Sequence, residues 1–295
     1  MENVNEKHKD TVFTFLFNDP ALLRELYSAI EGITLPPDVP IDINTLSDVL
    51  FRRQRNDISF LLDNRLIVLI EHQSTVNDNM PLRCLMYVEK LYELITDPDD
   101  KFRRKLGTIP KPEFIVLYNG MEQYPDYKEL RLSDIFTKTY TKIDLPMELV
   151  VQVYNINKGR NQEILGKSHT LDSYSRFIDK IREYQNECKN EDQWKNLDKD
   201  DRKELLDKAF KSAIEYCIKN NILKDFLKKH GSEVLSMLYA EYDPEVEMRI
   251  VREEALEEAH EEDRLHFLEL IDQGLTIEEI KERLNQKGVF DETRD

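Results

Sequence analysis

The sequence is poor in what several special architectures require. It has 8 glycines and 11 prolines in 295 residues, too few for a collagen-like or a Pro/Gly-rich disordered chain. No apolar run approaches the roughly 20 residues that cross a bilayer, so no membrane-spanning segment is expected. The three cysteines, Cys84, Cys188 and Cys217, are far apart and odd in number. They match neither a disulfide framework nor a zinc-site spacing. The opening MENVNEKHKD is polar and lacks the apolar core of a secretory signal. These absences predict a reduced, cytoplasmic protein.

Positive charge is also scarce. The net charge is −17, and it is unevenly spread. Residues 241–295 hold 7 Lys/Arg against 19 Asp/Glu, a balance of −12, and the other residues hold 35 against 40, a balance of −5. Phosphate binding rests on Lys and Arg, so the acidic segment is a poor DNA clamp. The near-neutral remainder leaves room for a local basic patch. Arg52, Arg53 and Arg55 form one and are weak candidates for tracking a DNA backbone.

What is present reads first as mixed α/β. HKDTVFTFLFNDPALLRELYSAI spaces Val12, Phe15, Leu16, Leu22, Leu23 and Leu26 helically, with Asn18-Asp19-Pro20 ending one helix and capping the next. LPPDVPIDIN reads as a proline-rich connector. LSDVLFRRQR, DISFLL and RLIVLIEHQ read as strands. NDNMPLRCLMYVEKLYELI predicts an amphipathic helix capped by Asp78 or Asn79, with Pro81 in its first turn and a buried stripe of Leu82, Leu85, Met86, Tyr92 and Ile95. EFIVLYNG and MELVVQVYNIN predict two more strands. From about residue 168 the pattern turns helical, through LDSYSRFIDKIREYQ, RKELLDKAFKSAIEYCIKN, ILKDFLKKHG and SEVLSMLYAEY. The organisation predicted is a core over 1–167, a helical region over 168–240 and an acidic helical tail over 241–295.

The stretch NDISFLLDNRLIVLIEHQS carries the candidate chemistry. Two apolar runs flank Asp63-Asn64, which predicts a hairpin with Asp63 structural in its turn. A two-residue loop pairs Asp57 with Ile70. A three-residue loop pairs it with Glu71 and puts Asp57, Glu71 and Gln73 on one face. Two carboxylates that close repel unless a proton, a basic neighbour or a divalent cation relieves them. A hard cation such as Mg²⁺ takes oxygen ligands of this kind.

The arrangement of Asp57, then Glu71-His72-Gln73 across a hairpin, with a helix before and after, resembles a PD-(D/E)XK nuclease core. KDTVFTFLFND, NDISFLLDNRLIVLIEHQST, NMPLRCLMYVEKLYE, PEFIVLYNG, LRLSDIF, VYNINKGRNQEIL and YDPEVEMRIVREEALEE resemble, in that order, the recombination-promoting nuclease / putative transposase family. The resemblance implies an α/β fold with a restriction-endonuclease-like mixed sheet flanked by helices. It implies a metal-dependent DNA endonuclease with Asp57 and Glu71 as metal ligands, Mg²⁺ as the cation with Mn²⁺ or Ca²⁺ as alternatives, and DNA as partner. The backbone carbonyl of His72 is a further candidate ligand. Gln73 stands where the general pattern has lysine, and a neutral amide can hydrogen-bond or position but carries no charge. Asp10, Arg83 and Tyr87 are accessory candidates. Asp10 also reads as a helix N-terminal acid, and Arg83 and Tyr87 as residues that solvate and pack their helix. The other reading is a catalytically weak or inactive protein on the same fold that self-associates through its C-terminal helices.

Overall fold

A computed structural model of the chain describes residues 11–43, 57–72, 77–97, 107–136, 147–189 and 197–241, with positions 99, 102, 104 and 194 besides. The chain divides into one compact unit over residues 1–238 and a second over 239–295.

Two short-range caps open the fold. Thr11 and Thr14 form a reciprocal capping box at the start of α1 (Val12–Phe17), each hydroxyl accepting from the other's amide. The Asp19 carboxylate accepts from the amides of Ala21 and Leu22 at 2.8 and 3.1 Å and starts α2 (Pro20–Glu31). The Asn18-Asp19-Pro20 breakpoint is therefore as predicted. Gly32, at φ 67°, ends α2 in the left-handed conformation that glycine adopts without steric cost.

Strand β1 (Ile41–Ile43) arises inside the segment read as a connector. It pairs antiparallel with β2 (Asp57–Leu62), Ile41 opposite Leu62. The strand expected over 47–55 falls outside the described residues. β2 turns into β3 (Arg65–His72) through Asp63 and Asn64, both at positive φ, 46° and 60°. That is the two-residue, positive-φ turn whose twist matches a hairpin.

Helix α3 (Met80–Ile95) follows, then β4 (Lys111–Tyr118), β5 (Tyr127–Arg131) and a 3-10 turn at Leu132–Ile135. β6 (Val150–Asn155), α4 (Gln162–Lys167), α5 (His169–Lys189), α6 (Lys199–Lys219) and α7 (Lys224–Glu241) complete the described elements. The six strands form one mixed sheet in the order β1-β2-β3-β4-β6-β5. β3, β4 and β6 are parallel, and the remaining pairings are antiparallel.

Helices cover both faces. On one face Leu66, Phe114, Val116, Val151 and Val153 pack with Cys84, Tyr87, Val88 and Leu91 of α3. On the other, Tyr27 of α2 meets Phe60 of β2 edge-on, and Phe13 and Phe17 of α1 surround Tyr174 of α5. α6 lies along α5, and Phe15 of α1 contacts Phe226 and His230 of α7.

Three expectations need correction. The buried stripe of α3 is Met80, Pro81, Cys84, Tyr87, Val88 and Leu91. Leu82 and Met86 are 38% and 52% exposed, while Leu85, Tyr92 and Ile95 are half-buried. The predicted stripe was rotated around the helix because both phases carry apolar residues, and packing against the sheet selects one. The Asn79 side chain makes no capping bond; its amide donates instead to Asn77 Oδ1 at 2.9 Å. The two helices expected on either side of Gly231 are one, α7, kinked at His230 (φ −124°, ψ 20°).

Candidate active site at the carboxyl edge of the sheet

Because β3, β4 and β6 run parallel, their carboxyl ends share one edge of the sheet. In open α/β sheets that edge is where ligands bind. The antiparallel β2 begins at the same edge, so Asp57 is brought to the end where Glu71 lies.

The register decides between the two pairings that the sequence left open. Asp57 is opposite Ile70, as the two-residue loop requires, and direct opposition to Glu71 is not formed. Glu71 pairs with Leu117 of β4, and His72 with Tyr118. With strands about 4.8 Å apart and a rise of about 3.4 Å, the Cα atoms of Asp57 and Glu71 are about 6 Å apart. In an unbroken ladder, positions 57 and 71 fall on alternate faces.

The side chains of Asp57, Glu71 and His72 lie outside the described part of the structure. So do Gln73, Asp10, Arg52, Arg53 and Arg55 entirely. Among the described residues no three His, Cys, Asp or Glu side chains gather as a metal site. Tyr87 is corrected: it is 4% exposed within the α3 core, so its ring packs there and does not face a solvent-borne phosphate. Arg83, one turn earlier, is half-buried.

The same edge holds a polar network that sequence reading missed. Asn119 follows β4, and Asn155 ends β6. The Asn155 amide donates to Tyr124 O at 2.9 Å. Asn157 Nδ2 donates to Gly120 O and Asn155 Oδ1, both at 2.9 Å. Asn161, at φ 37°, donates to Asp126 O and Asn155 O. Loops leaving a sheet lose the ladder's partners, and here amide side chains replace them. Arg182 of α5 then ties the loops together. Its Nη2 donates to the main-chain oxygen of Asn119, and Nη1 reaches Asn119 Oδ1 and Asn157 Oδ1, each at 3.3 Å.

α5 is itself fixed to the first layer. Glu25 of α2 accepts from Ser168 Oγ at 2.7 Å and from the Thr170 amide at 2.9 Å. Ser175 Oγ donates to Ile156 O at 2.6 Å. Burial, followed by the nearby Glu122, raises the pKa of Tyr118, and the positive charge of Arg182 opposes this. The signal in the sequence was the asparagines of VLYNG and VYNINKGRN, which are turn formers and do not by themselves mark a site.

A cavity of about 490 Å³ lies at the other end of the strands, lined by Glu31, Lys111, Glu113, Val150 and Gln152 among others. Beside it Tyr27 donates to Glu113 Oε2 at 2.6 Å and Arg65 donates to Tyr27 at 2.9 Å. Burial and then Glu113 push the Tyr27 hydroxyl far above its ordinary range. Burial and then Glu113 also raise the Glu31 carboxyl. This cluster anchors α2 to β3 and β4, remote from the carboxyl edge.

The architecture defines an α/β protein with a six-stranded mixed sheet and a polar carboxyl edge. Residues 42–205 match the family described as putative transposase, YhgA-like, more than half of the chain, and the chain belongs to that family. The match runs from β1 into α6 and contains Asp57, Glu71, Asn119 and Arg182. No curated protein and no solved structure matches the chain. The family description points to DNA processing linked to mobile elements. Among the described residues no helix is long and apolar enough to cross a membrane.

Proposed function

We propose that the protein is a metal-dependent DNA endonuclease on a PD-(D/E)XK core, hydrolysing phosphodiester bonds in recombination or mobile-element processing. The observation that carries this is the place of Asp57 and Glu71, on neighbouring rungs of a hairpin at the carboxyl edge of the sheet. The element order supports it: helices, a three-stranded antiparallel run, α3, then a strand parallel to the third.

The donor set fits a hard cation: two carboxylates, the His72 carbonyl and the Gln73 amide oxygen all offer oxygen. A bound Mg²⁺ supplies Lewis acidity toward the phosphate and lowers the pKa of water. Asp57 and Glu71 hold it, which requires the alternation of faces to relax at this open end by a bulge or strong local twist. Gln73 orients the nucleophile or the phosphate through its amide and takes no proton.

A metal titration tests this. Mg²⁺, Mn²⁺ or Ca²⁺ raises the melting temperature of the wild type by binding the native state, and Asp57→Ala or Glu71→Ala removes the rise. A wild type indifferent to all three metals sinks the proposal. It would leave the second reading, favoured by Gln73 in the lysine position and by the −12 balance of residues 241–295: a noncatalytic protein that self-associates through its C-terminal helices.

A further inference from the structure

We infer that Asn119 and Arg182 form a binding site for a phosphate of the nucleic-acid backbone, next to the hairpin carboxylates. The inference deepens the nuclease reading and rests on it for the identity of the ligand.

Three observations carry it. Arg182 Nη1 is held loosely, its amide-oxygen partners standing at 3.3 Å, beyond the usual range for N–H···O bonds. A phosphate oxygen is a stronger acceptor than an amide for a guanidinium. Arginine only donates, so the Asn119 oxygen must face Arg182, which fixes the orientation of the amide. The other end of that amide, Nδ2, is then a donor without an acceptor among the described residues, on a side chain that is 1% exposed. A buried donor left unpaired costs about 1–3 kcal/mol, and such groups call for an explanation. A ligand oxygen between Nδ2 and the guanidinium supplies it.

The position suits a phosphate beside the scissile one. Asn119 is two residues beyond Leu117, the partner of Glu71 in β4. That separates the Cα atoms of Asn119 and Glu71 by about 8 Å, on neighbouring parallel strands. Arg182 is half-buried, so its planar donor fork is both fixed and reachable. The other role this geometry admits is an arginine that only staples two loops.

The test uses the full chain, fluorescein-labelled duplex DNA and EDTA, so that it does not depend on the metal site. Affinity is measured by anisotropy from about 50 to 200 mM salt, with the melting temperature of each variant as control. Asn119→Asp keeps an oxygen for Arg182, removes the Nδ2 donor and adds a negative charge. It is expected to weaken binding about tenfold or more and to lower the salt slope by about one, with the fold retained. Arg182→Lys keeps the charge and loses the fork; it is expected to weaken binding severalfold. If Asn119→Asp does not fold, Arg182→Lys decides alone. Unchanged affinity and slope in the folded variants overturn the inference and leave a loop staple. A wild type that binds no DNA in EDTA overturns it too, while the nuclease reading still stands or falls on the metal titration. Inorganic phosphate that raises the melting temperature of the wild type but not of Asn119→Asp, without DNA binding, would give the site to a free phosphate and also overturn it.

Discussion

Asp57 lies directly across the β2–β3 ladder from Ile70, which leaves Glu71 as the next residue along. The whole relationship follows from a two-residue turn. One more residue in that loop would shift the pairing and change which residues share the carboxyl edge.

The turn is therefore a sensitive point. Asp63 and Asn64 both have positive φ, which asparagine tolerates and β-branched residues do not. Asn64→Val is expected to lose about 1–2 kcal/mol of stability, and Asn64→Gly to be neutral or slightly stabilising. Urea denaturation of the three proteins measures this.

The phase of α3 gives a second prediction. Leu91 is 0% exposed and Leu82 is 38% exposed. Leu91→Ala is expected to cost about 2–5 kcal/mol, and Leu82→Ala no more than about 0.5 kcal/mol. Equal costs in the same denaturation assay would mean that α3 is rotated.

The cluster at the amino ends of the strands predicts a pH dependence. Burial and Glu113 raise the Glu31 carboxyl above its ordinary value, so the folded protein holds that proton more tightly than the unfolded chain. The penalty is absent below the ordinary carboxylate range, where both states are protonated, and appears as the pH rises through it. Glu31→Gln is expected to melt above the wild type at pH ~7 and level with it near pH ~3. Solvent near Glu31 keeps the difference small. A gap that widens toward acid pH in thermal melts would reverse the sign and refute the account.

Gln73 separates positioning from metal binding. Gln73→Ala is expected to slow cleavage by about 10²-fold while leaving the metal-induced rise in melting temperature in place. Loss of both would make Gln73 a metal ligand first.

Strong local signals carried over from sequence to structure. The hairpin flanking Asp63-Asn64, the Asp19-Pro20 cap and the apolar runs of β3, β4 and β6 each rest on a few adjacent residues with one good conformation. What was hidden depends on tertiary partners. β1 is three residues long and exists because β2 offers an edge. β5, YKELR, is a polar edge strand with one buried position, Leu130. The register was undecided because both loop lengths fit the apolar pattern, and only the backbone of the turn distinguishes them. Arg182 lies 63 residues from Asn119 in sequence, and nothing local to either announces the other. The family was legible from the ordered segments, and residues 42–205 match it.

The central claim is tested most directly by plasmid cleavage at low salt, comparing wild type, Asp57→Ala and Glu71→Ala, with Mg²⁺ or Mn²⁺ and with EDTA. The account predicts nicking or linearisation by the wild type that requires metal and disappears in both variants. Cleavage that survives in EDTA or in either alanine variant would contradict it, as would a metal-bound wild type that leaves every DNA substrate intact.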